Sequence, residues 1–425
     1  MITQIIRKIV SGKNDRYVFN KFDHLNDNMR FAKRMGLYTH VPFCRNKCPY
    51  CPYYKETYEV TKSGEYLKGL LQEIKYYGKI GQKPEWTSWY IGGGTPTLII
   101  KDLFEIKEVI RTELGFNGPI ALETTPNELS KENIEKLEQL GVQYLSVGVQ
   151  SFQDKYLSVI GRDCRSRDIR ESLGNLNGHR FSTVNVDLIF VFPGQEIVDV
   201  KKDLEAALEF SPEQITCYPL FTFPYSSIGE YMKLKHLSLP NAVKRRKFYY
   251  FIHDYLSKHG YQRTSVWSFN KPGTVPYSSV TRDYYLGLGP GAGSYTGDGF
   301  YFNTFSIDEY IRSLQIMKRL PIALKMPISQ RMSKLSWLYW RLYETDISRN
   351  QYRKLFDARF EEDFGLISEF LKMFGFLENE NADILRLNRR GSHWIHLFQN
   401  YFALNYVTKV WQACKQNPWP EFVAI

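Results

Sequence analysis

No apolar run in the 425 residues approaches the roughly 20 that a bilayer-spanning helix needs, so no transmembrane segment is expected. The N-terminal MITQIIRKIVSGKNDR has a short amphipathic stretch but neither the apolar core nor the small-residue cleavage site of a secretory signal, which makes the cytoplasm the expected address. Glycine and proline are sparse, at 29 and 19, and there is no low-complexity tract and no internal repeat beyond strand–helix alternation. Fibrous or disordered chain is therefore not expected. The net charge of +11 could mark an anionic partner, but Lys and Arg are scattered, with only small knots such as Lys244, Arg245, Arg246 and Lys247. A solvated basic surface, and no nucleic acid, is the expectation. What is present, 43% hydrophobic and 16% aromatic residues, is ample for a packed core, and the length suggests one large α/β unit with appendages.

The six cysteines are unevenly placed: Cys44, Cys48 and Cys51 fall within eight residues, while Cys164, Cys217 and Cys414 are dispersed and read as ordinary thiols. Chemistry explains the first group better than disulfide stapling.

Six short β-rich runs, at 37–41, 88–91, 119–123, 144–149, 183–190 and 215–220, alternate with helical patterns such as 65–80, 130–141 and 198–210. Ser130 followed by Asn133 has the form of an N-cap, and Gly141 that of a C-terminal stop. The alternation predicts βαβ units, a parallel sheet and a partial (β/α)6 barrel over 37–235, with ligands at the C-terminal ends of the strands. Residues 1–36 read as a partly helical extension, and 236–325 as a less regular, barrel-completing region with a turn-rich block at 286–299. Residues 326–425 read as a helical C-terminal unit and tail, in which ILRLN at 384–388 followed by RRG has the form of the strand and turn of a winged-helix-like unit.

Three thiolates at the spacing of Cys44, Cys48 and Cys51, on a loop after the first strand, can ligate three irons of a [4Fe-4S] cluster and leave the fourth open. A structural zinc site is the alternative and would need a fourth ligand, for which His40 is close in sequence. CxxxCxxC on the first loop of such a barrel resembles the radical S-adenosylmethionine (SAM) superfamily, and YTHVPFCRNKCPYC resembles its oxygen-independent coproporphyrinogen III oxidase branch, the resemblance covering roughly 37–310. It implies a [4Fe-4S] cluster on Cys44, Cys48 and Cys51, and one or two SAM molecules. The run Gly92, Gly93, Gly94, Thr95, Pro96 resembles the loop against the methionine part of SAM. Glu123, Gln150 and Asp187, polar where buried strands are usually apolar, resemble the contacts to ribose and amino groups, and Arg162 the arginine that pairs with a SAM carboxylate. Tyr38 and Tyr50 match aromatic positions beside the cofactors, while Phe221 and Gly293 match positions near the adenine and the second cofactor. Tyr38 and Glu123 are the candidate catalytic residues.

The chemistry so implied is reductive cleavage of SAM to methionine and a 5'-deoxyadenosyl radical, with a flavodoxin- or ferredoxin-type electron donor and a small substrate, flat and aromatic or a tetrapyrrole. Tyr53 stands where the decarboxylating oxidases of the branch carry a further cysteine, and Arg16-Tyr17-Val18-Phe19-Asn20 keeps little of their N-terminal segment. The extension and the tail are similar instead to branch members that bind two SAM molecules and transfer a methyl group to carbon. Two-SAM methyl transfer is thus the leading expectation, with porphyrinogen oxidation and haem carriage as its rivals.

Overall fold

The structure is a computed structural model that describes residues 17–223, 226–234, 236–278, 283–402 and 408–425. After a short β1 (Val18–Lys21), the barrel is built from β2 (Arg34–Val41), β3 (Glu85–Gly93), β4 (Ile120–Thr124), β5 (Val142–Gln150), β6 (Thr183–Phe190) and β7 (Gln214–Pro219), each parallel to its predecessor. These are the six expected strands. The crossovers carry α1 (Val60–Lys79), α2 (Asp102–Leu114), α3 (Lys131–Leu140), α4 (Asp154–Val159), α5 (Ser166–Gly174) and α6 (Ile197–Glu209). Side chains alternate along a strand. Leu37, Ile91, Leu122, Leu145, Val186 and Ile215 accordingly share the outward face and bury fully against the helices. α3 begins and ends as its sequence requires: the Ser130 side chain accepts from the Asn133 N–H, and Gly141 closes the helix in the left-handed region.

The sheet continues past both barrel edges. β8 (Gln262–Arg263) and β9 (Ser268–Asn270), which follow α7 (Ala242–Lys258), extend it beyond β7, with β9 antiparallel to β7. Beyond β2, the stretch read as turn-rich opens with a strand, β10 (Tyr285–Leu288), parallel to β2 and so a seventh parallel member. Antiparallel β11 (Gly293–Tyr295), β12 (Gly299–Asn303) and β13 (Ile322–Pro327) follow, with α8 (Ile307–Gln315) between the last two. The described part of the N-terminal extension is not helical. Val18–Lys21 forms a strand on β13, with Phe19 buried, and this non-local pairing decides its structure.

After α9 (Gln330–Glu344), a three-stranded sheet of β14 (Asp346–Ser348), β15 (Leu377–Glu380) and β16 (Ile384–Leu387) packs with α10 (Arg349–Phe356), α11 (Phe360–Met373) and α12 (Arg389–Phe402) around its own core of Trp337, Tyr352, Phe360 and Leu385. The RRG read as a turn is the first turn of α12, because Asn388 caps it by accepting from the Gly391 N–H at 2.8 Å. The tail forms the expected helix, α13 (Thr408–Gln416), stops at Asn417–Pro420, and ends in β17 (Phe422–Ala424), antiparallel to β1. The 1–16 segment and 403–407 of the tail lie outside the described residues. Among the described residues no helix is long and apolar enough to cross a membrane.

Candidate active site

Register links the inward residues of β2–β7 into layers. Tyr38, Tyr90, Ala121 and Tyr144 are successive partners and form a phenolic floor. Tyr277 reaches in from beyond β9, with its ring 5.6 Å from that of Tyr90, which shows how far the sheet curls. Glu123, Ser146, Asn185 and Gln214 pair in the next layer, and Gly148, Asp187 and Thr216 in the one above. Gln150 and Tyr218 complete the wall, the Tyr218 hydroxyl donating to Gln150 Oε1 at 2.6 Å.

The upper layers open into one cavity of about 1020 Å³. Its lining brings together Cys44, Cys48, Cys51, Tyr50, Gly93, Gly94, Thr95, Glu123, Gln150, Arg162, Asp187 and Phe221, all singled out from the sequence. Tyr38 and Gly293 are not brought there: Tyr38 lies in the floor, bonded to His40 Nδ1 at 2.7 Å, and Gly293 packs on β11 against Phe302. Sequence reasoning missed Ser146, Asn185, Gln214, Thr216 and Tyr218, which also line the cavity. The signal was available, since they lie on their strands at the same two-residue parity as Gln150 and Asp187.

The cysteine loop leaves β2 and is pinned where it closes: the Glu56 N–H donates to Pro42 O at 2.6 Å and the Tyr58 N–H to Cys44 O at 2.9 Å. Arg45 pairs with the buried Glu128 at 2.6 Å, and Asn127 donates to Asp163 at 3.1 Å, so the loops after β4 and β5 hold the same rim. The glycine run packs directly on this loop. Gly94 N–H donates to Val41 O at 2.7 Å, Thr95 N–H to Phe43 O at 2.6 Å, and the Thr95 hydroxyl lies 3.8 Å from Cys44 Sγ. A Cβ on Gly94 would sit 2.3 Å from Phe43 O, and one on Gly93, at φ 111°, 2.6 Å from the His40 ring. The absent side chains therefore let two segments of this chain meet, besides leaving backbone open to the cavity.

Glu123 accepts from the Tyr90 hydroxyl and, at 3.1 Å, from the Gly93 N–H, tying the floor to the glycine run. Asp187 accepts from Asn185 at 2.8 Å and Ser146 at 3.0 Å, yet burial still pushes its carboxyl up to about 7. Arg162 donates to Gly148 O at 2.7 Å, while its buried Nε has no partner among the described residues, and its charge acts on the Cys48 thiol. Burial pushes the Cys44 thiol up to about 11 and raises that of Cys48 as well. Metal binding to this loop must therefore displace protons.

These residues fit a [4Fe-4S] cluster better than zinc. His40 is unavailable as a fourth ligand, because Nδ1 is taken by the Tyr38 hydroxyl and Nε2 by the Tyr54 carbonyl at 2.9 Å. Among the described residues no three His, Cys, Asp or Glu side chains converge on one ion, an arrangement a cubane with one thiolate per iron does not require. Cys164, Cys217 and Cys414 are free and buried.

A parallel α/β barrel with three cysteines on the loop after its first strand has the form of the iron–sulfur α/β barrels. The sequence profile of the radical SAM superfamily matches residues 38–207. The haem chaperone HemW of Bacillus subtilis (strain 168) is 30% identical over 282 residues, spanning 64% of this chain and 74% of that one. The oxygen-independent coproporphyrinogen III oxidase of Salmonella typhimurium is 26% identical over 305 residues, 67% of this chain and 66% of the oxidase. The solved coproporphyrinogen III oxidase (HemN) from Escherichia coli superposes with a TM-score of 0.75 at 19% identity, covering 93% of this chain and 96% of that one, a likeness of fold. The chain belongs to the radical SAM superfamily, in the branch that holds these haem chaperones and coproporphyrinogen oxidases. The superfamily's cofactors are a [4Fe-4S] cluster and SAM. These relatives give the expectation of two-SAM methyl transfer no support.

Proposed function

We propose that this protein reductively cleaves SAM and acts on a tetrapyrrole-type small molecule held over the barrel mouth. The observation that carries the reading is the joint lining: three cysteines, the glycine run and the inward polar rows of β4–β7 open on one cavity. Its volume of about 1020 Å³ reaches the top of the range for a single ligand, leaving room for a flat molecule beside SAM. Cys44, Cys48 and Cys51 would hold the cluster, which when bound supplies the electron that breaks the sulfonium bond. Arg162, with its unmet Nε and its place beside Cys48, suits a carboxylate, and the Gly93–Thr95 backbone suits the methionine part. Glu123, Gln150 and Asp187 supply acceptors for ribose and amino groups. The tetrapyrrole rests on the relatives' names: a haem chaperone and a coproporphyrinogen oxidase.

Anaerobic reconstitution with iron and sulfide, reduction, and incubation with SAM and candidate tetrapyrroles tests this. The expected result is absorbance near 400 nm and formation of 5'-deoxyadenosine, both abolished in Cys48→Ala. A reconstituted protein without iron or cleavage products would sink it. Haem carriage is a second reading, favoured by the Bacillus relative; stoichiometric haem retention without turnover would identify it. S-adenosylhomocysteine with a product heavier by one methyl group would instead identify methyl transfer, and loss of carbon dioxide the oxidase reaction, which Tyr53 in place of a cysteine disfavours.

A further inference from the structure

The cavity runs on past the residues used so far. Beyond Asp187 a polar row crosses the sheet: Asn185 Oδ1 accepts from Thr216 at 2.8 Å, the Thr216 and Ser268 hydroxyls meet at 3.1 Å, and the Ser268 carbonyl accepts from the Thr264 N–H at 2.9 Å. Arg263 comes next and lines the same cavity. Because β6, β7, β9 and β8 are successive strands, it lies three strand spacings, about 14 Å, from Asp187. The C-terminal unit supplies the facing wall, through Asp346, Glu378 and Arg386.

The charges along this cavity are unevenly paired. Of the four arginines that line it among the described residues, Arg45 is held by Glu128 at 2.6 Å and Arg386 by Asp346, through two bonds of 2.8 and 2.7 Å. Arg162 lies on the cysteine side, bonded to Gly148 of β5, and is assigned above to the carboxylate of SAM. Arg263 remains. Its side chain is only 5% exposed; Nη2 donates to the Leu387 carbonyl, while Nε and Nη1 have no hydrogen-bond partner among the described residues. Glu378 stands 4.0 Å from Nη2 and is itself 55% exposed, so it makes no hydrogen bond to the guanidinium and water screens its charge. Burying a guanidinium with two unmet nitrogens costs free energy that an entering acceptor would recover.

We propose that Arg263 anchors a carboxylate arm of the substrate, gripping it at the end of the cavity away from the cysteines while the ring reaches back toward SAM. The inference rests on the substrate reading above and narrows it to molecules that carry acidic arms. Charge-assisted bonds to a carboxylate are the strong ones, and a site built to make them rejects the analogue that lacks the charge. Arg263 thus sets specificity at a distance from the reacting atoms, and Glu378 competes weakly for the same guanidinium.

The test is a titration of the full chain with coproporphyrin III, whose carboxylates are free, and with its tetramethyl ester, in which the same ring has none, each read by porphyrin fluorescence anisotropy. Wild type is expected to bind the acid at least about tenfold more tightly than the ester. Arg263→Gln should weaken the acid about tenfold and leave the ester unchanged, with Arg263→Lys between the two. Glu378→Gln, which removes the competing charge, should tighten the acid about threefold without moving the ester, a change of opposite sign that misfolding cannot imitate. A wild type that binds neither porphyrin would sink the substrate reading and this inference with it. Acid bound as tightly by Arg263→Gln as by wild type would overturn the role of Arg263 alone, as would equal losses of acid and ester in that variant with no gain in Glu378→Gln.

Discussion

On the cysteine side of the cavity, backbone is packed against backbone: Gly94 and Thr95 donate to Val41 and Phe43, and no Cβ fits on Gly94. On the opposite side, side chains make the wall: Thr216 donates to Asn185 at 2.8 Å, and Asn185 and Ser146 converge on Asp187. The close contacts of the first wall are between main-chain atoms that cannot swing aside, whereas the second is a hydrogen-bonded network whose members can rotate or exchange partners. Rigidity thus sits at the three thiols and adaptability along the polar wall, the division that the proposed binding of a cluster and of SAM would require. Substitution should separate the two walls. Gly94→Ala is expected to cost on the order of 3 kcal/mol, because a main-chain oxygen cannot step aside, whereas Ser146→Ala should cost about 1 kcal/mol. Urea unfolding of the cluster-free protein measures both, and equal costs would erase the contrast.

Proton linkage probes the second wall alone. Asp187 has its carboxyl pushed up to about 7 from 3.8, first by burial. The folded chain therefore holds a proton that the unfolded chain releases between those values, and this contribution to stability falls as pH rises through that window and is level above it. The full shift corresponds to at most about 4 kcal/mol. Glu73, buried on α1 and raised to about 7, and Asp203 on α6, raised to about 6, have the same sign. Asp187→Asn should accordingly lessen, without abolishing, the loss of stability between pH 5 and pH 8. An unchanged slope would mean that the network does not hold Asp187 as a neutral acid.

Much of the second wall was legible in advance. Polar residues at alternate positions of otherwise apolar strands stand out against their background, and Glu123, Gln150 and Asp187 were found that way; the same parity would have added Ser146, Asn185, Thr216 and Tyr218. The cysteine loop was legible because its spacing is local. What escaped notice is non-local or masked by composition. β1 is ordered by β13 and β17, strands some 300 to 400 residues away, and no local pattern encodes that pairing. In β10, glycine dilutes the strand signal although Leu286 and Leu288 are fully buried. The grip of α13 on Tyr53 and Tyr54 was likewise invisible: its aromatics announce an amphipathic helix but not its partner.

Arg162 stands between the two walls, bonded to Gly148 of β5 and acting on Cys48 of the loop. Lys at this position keeps the charge but loses the planar fork, so it cannot satisfy Gly148 O and a bound carboxylate in the same geometry. Arg162→Lys is expected to raise the KM for SAM about tenfold, worth about 1.4 kcal/mol, with a smaller change in kcat. Steady-state 5'-deoxyadenosine formation checks it. A fall in kcat at constant KM would move Arg162 from the binding of SAM to the support of the cysteine loop.

The smallest effect belongs to the strap that ties the two ends of the chain. Lys21 and Glu421 form an ion pair, but both side chains are largely exposed, at 50% and 73%, so the attraction is screened by water and opposed by side-chain entropy. The same residues are also joined through their main chains, Lys21 N–H donating to Glu421 O at 2.8 Å, and the adjoining strands continue that pairing from Val18 to Asn20. Glu421→Gln removes only the charge and should cost less than about 0.5 kcal/mol in urea unfolding. Removing 422–425 instead deletes the strand pairing and the buried Val423, and should cost at least about 1.5 kcal/mol in the same assay. A larger effect from the point substitution than from the deletion would mean that surface charge, and not strand pairing, holds the tail against the cysteine loop.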